Sequence, residues 1–154
     1  MPPRFKPNRF VDPSSPGRFG GLRQDRRMAW IKNLGEEDTP PKLAAAVLQH
    51  RLVEVIRDKL DERKWLVSSF WTACGFEGEG NRFMSGAGPM KIEELAAALY
   101  ALGPEGFPSW EELAADIAAA ICDAGSWADV DRDVRTNPPR TSEPTIARPS
   151  KHGR

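Results

Sequence analysis

Apolar residues recur at helical spacing through the middle of the chain and thin out at both ends. From Thr39 to about Arg63 nothing breaks a helix. Thr39 can cap it, Pro40 suits its first turn, and Glu36, Glu37 and Asp38 favour its positive end. Leu48, Leu52, Val55 and Ile56 form one stripe with Leu60 at its edge, while Leu43 and Val47 lie nearly opposite. A helix apolar on two sides in its first half is sandwiched, kinked, or met by a second chain. His50 lies with Leu43 and Val47 and reads as a surface or packed histidine, because no second metal ligand is near it in sequence.

The run from Lys64 to Cys74 is short and strongly apolar. Its helical neighbours favour helix over strand, with Ser68 or Ser69 as the start and Phe70, Trp71, Ala73 and Cys74 buried. Phe76 to Gly80 is a turn, Asn81 to Ser85 one or two helical turns, and residues 86–89 a Gly/Pro loop. Ile92, Leu95, Ala96, Leu99 and Leu102 then share one helix face, which Gly103-Pro104 ends. Ser109 to Glu112 matches a capping box. The helix it opens has Trp110, Leu113, Ala114, Ile117 and Ile121 as its apolar stripe and Glu111, Glu112, Asp116 and Asp123 opposite. Gly125 ends it, and Trp127 folds back as a lid. Upstream, Gln24 to Leu34 reads as a short helix stopped by Gly35 and docked by Met28, Ile31 and Leu34. The fold class that follows is all-α: a small bundle of about five helices over residues 23–128.

Composition changes the picture at the ends. Residues 1–22 hold five prolines and three glycines without periodicity, which predicts a disordered basic arm. Phe5, Phe10 and Phe19 alternate there with Arg4, Lys6, Arg9 and Arg18. That pattern suits a flexible arm following phosphates or entering a minor groove, or a tail folding over a partner. Residues 129–154 read as a second disordered tail. Net charge is zero but unevenly placed: residues 1–35 carry +6 and residues 104–131 carry −7. Such a chain offers a basic face to a polyanion and an acidic helix, 109–124, to a basic partner. Cys74 and Cys122 lack metal spacing and read as small core hydrophobes in a reducing cytosol. No run approaches the ~18 apolar residues of a membrane span, and no secretory signal is visible. A soluble, cytoplasmic protein is expected.

Enzyme signatures are missing. Two histidines leave little for acid–base work, and there is no phosphate-binding Gly-rich loop with lysine, nucleophile elbow or metal-spaced cluster. The expectation is a protein that is not an enzyme and needs no cofactor or metal.

What remains is the order of helices over residues 45–103. Phe83-Met84-Ser85-Gly86, Pro89, Ile92-Glu93-Glu94-Leu95 and Ala101-Leu102-Gly103 form a run that resembles the phage-repressor-like helix-turn-helix family, the Cro/Xre group. The likeness spans about 60 of the 154 residues. That family usually sets a small residue where its second and third helices cross, four positions before a turn glycine. With Gly75 as the turn glycine the crossing residue is the bulky Trp71, and the segment to Gly86 is about one residue short. With Gly78 it is Cys74, and the third helix shrinks further. Gly78 and Gly80 each weaken a recognition helix by roughly 1 kcal/mol against Ala.

The resemblance implies a lambda-repressor-like helix-turn-helix bundle that binds double-stranded DNA. Asn81, Arg82 and Ser85 would face the major groove, where Asn suits adenine and Arg suits guanine, and Glu79 would accept from cytosine. Ser68, Ser69 and Lys91 would hold phosphates. Arg4, Arg9, Arg18, Arg26 and Arg27 would supply the salt-sensitive part of affinity. The implied function is a sequence-specific transcriptional regulator, such as a phage or mobile-element repressor. It would act as a homodimer through helix 109–123 or the Leu43–Val47 side. The alternative is a helical interaction adaptor or antitoxin-like module whose acidic helix binds a basic partner.

Overall fold

The computed structural model describes residues 4–21 and 28–124. Among them are five helices and no strand: α1 (Pro40–Glu62), α2 (Val67–Ala73), α3 (Gly80–Met84), α4 (Ile92–Leu102) and α5 (Trp110–Ala124). A short 3-10 turn, Pro7–Phe10, precedes them. No described helix is long and apolar enough to cross a membrane.

The long α1 is the axis, and its two apolar sides serve two different halves of the molecule. Its C-terminal half gives Val53, Ile56 and Leu60 to a core completed by Phe70 and Trp71 of α2, Phe83 and Met84 of α3, and Ala98 and Leu102 of α4. Its N-terminal half gives Leu43, Ala46 and Val47 to a second core shared with Phe10, Ala120 and Ile121. The Leu43–Val47 side is therefore covered within the chain, with Leu43 0% and Val47 1% exposed, and is not the free dimer surface the sequence suggested. The expected stripe is rotated as well: Leu48 and Leu52 are half-buried, whereas the polar Gln49 and His50 are buried.

The helix ends have local causes. Thr39 holds the N-cap conformation ahead of Pro40 and Pro41, although its hydroxyl makes no capping bond. At the far end the Trp65 N–H donates to the Leu60 carbonyl (2.9 Å) and the Lys64 N–H to Asp61 (3.1 Å). This double closure is a Schellman motif. Glu94, at the third position of α4, is 2% exposed and accepts the Lys91 N–H at 2.6 Å. Ser109 opens α5 by accepting the Glu112 N–H at 3.1 Å, as the capping-box pattern predicts.

The arm departs most from expectation. Residues 4–21 are not a disordered tail but a segment packed along α1, with Phe10 1% and Phe19 6% exposed. Residues 28–34 are not helical. Val11 and Trp30 form an isolated antiparallel bridge, with Asp12 N–H donating to Ala29 and Ile31 N–H to Phe10, both at 2.9 Å. Backbone groups that a helix would have paired internally are here paired with the arm. Other burial expectations also fail. Ile92 is 83% and Trp110 80% exposed, and Ala73, Ala96, Ala114 and Cys122 face outward. The rest of the expected helix from Gln24, the Trp127 lid and the C-terminal tail lie outside the described residues.

Candidate nucleic-acid interface

The α2–α3 unit begins one residue earlier than the serines suggest. Leu66 holds the N-cap position, and Ser68 and Ser69 lie exposed in the first turn of α2. Its C-terminus is a second Schellman closure: Phe76 N–H donates to Trp71 at 2.8 Å and Gly75 N–H to Thr72 at 3.0 Å. Gly75 has φ +94°, a left-handed conformation that favours glycine, and Phe76 packs edge-on to Trp71 with ring centroids 6.0 Å apart. Gly75 thus turns the chain out of α2, and Trp71 is the α2 residue that faces α3.

The crossing works because size is exchanged between the helices. Trp71 is 0% exposed and stands perpendicular to Phe83, with centroids 4.5 Å apart. Opposite it is Gly80, the first residue of α3, where a Cβ would come within 2.5 Å of Trp71 Cδ1. A bulky residue on α2 thus requires the missing side chain on α3. Among the described residues, the buried Trp71 N–H finds no acceptor.

Burial of Gly80, Phe83 and Met84 leaves Asn81 and Ser85 exposed and Arg82 half-buried. Ser85 Oγ donates to the Asn81 carbonyl at 2.7 Å. Arg82 is held on two sides. One guanidinium nitrogen donates to Glu79 Oε1 at 2.7 Å, and the side chain lies along Gly88, where a Cβ would stand 2.5 Å from Nη1. Glu79 is therefore engaged with Arg82 rather than free to accept from a base.

Behind α3, Gln49 of α1 fixes the segment that follows it. Its amide nitrogen donates to the Phe83 carbonyl (2.8 Å) and the Gly88 carbonyl (3.0 Å), and its oxygen accepts the Met90 N–H (2.7 Å). Lys91 follows directly, exposed at the N-cap of α4. No sequence motif marks Gln49. Its one signal is an amide on an otherwise apolar side of a long helix.

The arm reaches the same region. Asn8 donates to Gly86 through its backbone N–H (3.0 Å) and to Ser85 through its side chain (3.3 Å). Phe19 packs so closely on Gly86 that a Cβ there would lie 2.7 Å from its ring. His50 Nδ1 accepts the Gly20 N–H at 3.0 Å, its ring in contact with those of Phe19 and Trp30. The arm's cations divide: Arg4 and Arg18 are exposed, while Arg9 pairs with Asp38 at 3.2 Å. Arg26 and Arg27 lie outside the described residues.

The structure thus brings Asn81, Arg82 and Ser85 onto one short helix and its C-cap, with Glu79 as partner of Arg82 and Lys91 just beyond the Gln49-held loop. The described residues contain no group of three or more His, Cys, Asp or Glu side chains able to hold a metal ion. Burial pushes the Cys74 thiol above its ordinary range, away from the thiolate form. No family model, curated protein or solved structure matches the chain, so its geometry alone bears on function.

Proposed function

We propose that the chain is a sequence-reading, double-stranded-DNA-binding regulator built on a lambda-repressor-like helix-turn-helix, with α2 and α3 as the reading unit. The observation that carries this reading is the Trp71–Gly80 crossing. It seats a five-residue helix against α2 while Asn81, Arg82 and Ser85 remain on its outer side. Those three offer an amide for adenine, a guanidinium for guanine and a hydroxyl. Glu79 and Gly88 preset Arg82, which reduces the side-chain freedom lost on binding. Ser68, Ser69 and Lys91 supply phosphate contacts around this head, and Arg4 adds unspecific attraction. A half-site read by one such head favours a homodimer, as expected of a phage or mobile-element repressor.

Selection from random-sequence duplexes tests the reading. Arg82→Ala should flatten the preference for one sequence, whereas Arg4→Ala should weaken all duplexes alike. Absence of duplex binding at low salt would sink it.

One observation favours a protein partner instead: Trp110 is 80% exposed beside Glu111 and Glu112 at the start of α5. An indole rimmed by carboxylates suits a basic, apolar peptide of an adaptor's or antitoxin's partner. Loss of an isolated protein complex on Trp110→Ala, with duplex binding absent, would establish that alternative.

A further inference from the structure

The outward face of α4 is apolar. Glu94, Ala98 and Leu102 are buried, and the opposite side presents Ile92, Glu93, Ala96, Tyr100 and Ala101 to solvent, with Ala97 half-buried among them. Ile92 is 83% and Tyr100 94% exposed, the two highest values among the large hydrophobic side chains described. The one charge on this face is Glu93, since the helix's other carboxylate, Glu94, is turned inward onto the Lys91 N–H. The helix holds no basic residue, so the face suits neither a phosphate backbone nor an anionic membrane surface.

The order of residues on the face is self-complementary. Glu93 and Tyr100 lie two turns apart, ~10 Å along the axis, with Ala96 and Ala97 midway. A second copy laid antiparallel, with a two-fold axis at these alanines, sets each Tyr100 hydroxyl beside the partner's Glu93 carboxylate, to which it donates, and each Ile92 against the partner's Ala101. The central alanines let the two backbones approach, and the two Glu93 carboxylates stay ~10 Å apart, about a Debye length. The place of α3 fits the same axis. Ala98 and Leu102 join the core that holds Phe83 and Met84 of α3, so α3 lies behind α4 as seen from the exposed face. Packed helices stand ~8–10 Å apart, so the steps from α3 to α4, across the axis and on to the partner's α3 add up to about 30 Å. DNA half-sites one turn apart are centred ~34 Å from each other.

We propose that the outward face of α4, from Ile92 to Ala101, is a homodimer interface through which two copies of the chain pack antiparallel. For its use this rests on the DNA reading above, which it deepens by naming the surface that joins two half-site readers. The face offers roughly 500 Å² per copy, below the ~800 Å² of a standard interface. The free dimer therefore dissociates in the micromolar range, and a palindromic duplex strengthens it by holding both copies.

The test uses the full chain. Sedimentation under reducing conditions, across the micromolar range, should show a monomer–dimer equilibrium. Tyr100→Ala should raise its dissociation constant by about ten-fold or more and Tyr100→Phe by less, with the far-ultraviolet circular dichroism unchanged because the side chain is exposed. A protein that stays monomeric at every concentration, or a dimer indifferent to Tyr100→Ala, overturns the interface. Oxidative cross-linking, in a chain whose native thiols are removed by Cys74→Ala and Cys122→Ser, checks the direction of packing. Ala96→Cys should link to itself, Ile92→Cys should not, and Ile92→Cys mixed with Ala101→Cys should. Self-linking of Ile92→Cys means parallel helices and overturns the arrangement. Binding to a selected palindromic duplex separates this proposal from the reading it rests on. Dimerisation without duplex binding overturns the DNA reading while the interface stands. Duplex binding that is equally cooperative in wild type and Tyr100→Ala overturns the interface and leaves the DNA reading intact. A monomer that captures a different protein through Tyr100 likewise overturns the interface.

Discussion

Gly80 lies directly against the indole of Trp71, with no room for a side chain between them: a Cβ at Gly80 would stand 2.5 Å from Cδ1 and 2.9 Å from Cγ. The pair sets a bulky residue of α2 against the missing side chain of α3, and that match predicts coupled substitutions. Gly80→Ala should gain ~1 kcal/mol of helix propensity and still destabilise the protein, because overpacking costs ~1–3 kcal/mol. Trp71→Ala alone should cost ~3–5 kcal/mol. The double variant should cost less than the sum, with a coupling of ~0.5–3 kcal/mol measured by urea denaturation. Additive losses would mean that the two residues are not a matched pair.

Gln49 serves three backbone groups from one side chain, and its removal strands all of them. Gln49→Ala should lose at least ~3 kcal/mol, since each buried polar group left unpaired costs ~1–3 kcal/mol. Gln49→Leu restores the volume but not the bonds, so it should be nearly as unstable. A stable Gln49→Leu protein would show that packing, not hydrogen bonding, holds the loop after α3.

The arm can be released by one methyl. Gly20→Ala forces a left-handed residue, at ~1–2 kcal/mol, and places the added carbon against the Met84 carbonyl. Amide hydrogen exchange should then quicken at Asn8 and Gly20, which donate to Gly86 and His50 in the docked arm. Arg4→Ala, at an exposed position, should leave those amides protected.

Acid should weaken the α1 network through Glu54. Burial raises its pKa, but hydrogen bonds and attraction from His50 and Arg51 outweigh this, so the folded value lies below the ordinary 4.5. A carboxyl depressed in the fold contributes stability that is complete above its unfolded pKa and lost as pH falls through the folded one. Stability followed by urea titration should therefore fall below pH 4.5, and Glu54→Gln should reduce that slope. An unchanged slope would place the acid sensitivity elsewhere.

Local signals were the legible ones. The spacing from Ile92 to Leu102, ended by Gly103, marks α4, with Lys91 as its N-cap, and Ser109 accepts from the Glu112 N–H at the start of α5. Periodicity locates a helix better than it orients one. Ile92 and Trp110 sit on apolar stripes yet face outward, because the buried side is chosen by partners distant in sequence. The same limit hides Gln49 and His50, whose bonds span 34 to 41 residues and 30 residues. Composition misleads most at the arm. Prolines and glycines there argue against regular structure, but they do not prevent Phe10 and Phe19 from docking on α1. In the candidate site, Asn81 and Ser85 are exposed, as the place that the resemblance implies for them requires. The partner of Arg82 was obscured because Glu79 read equally well as a base contact.

The residues of α3 divide their duties: Gly80, Phe83 and Met84 are buried, Asn81 is exposed, and Arg82 is half-buried along Gly88. A helix so short has little stability of its own and is held by α1 and α2. New side chains at the exposed positions 81 and 85 can therefore be tried at small cost to folding. On the proposed DNA reading, that surface is an exchangeable cartridge on a fixed mount, and descendants of this chain would change target by substitutions there while keeping every core residue.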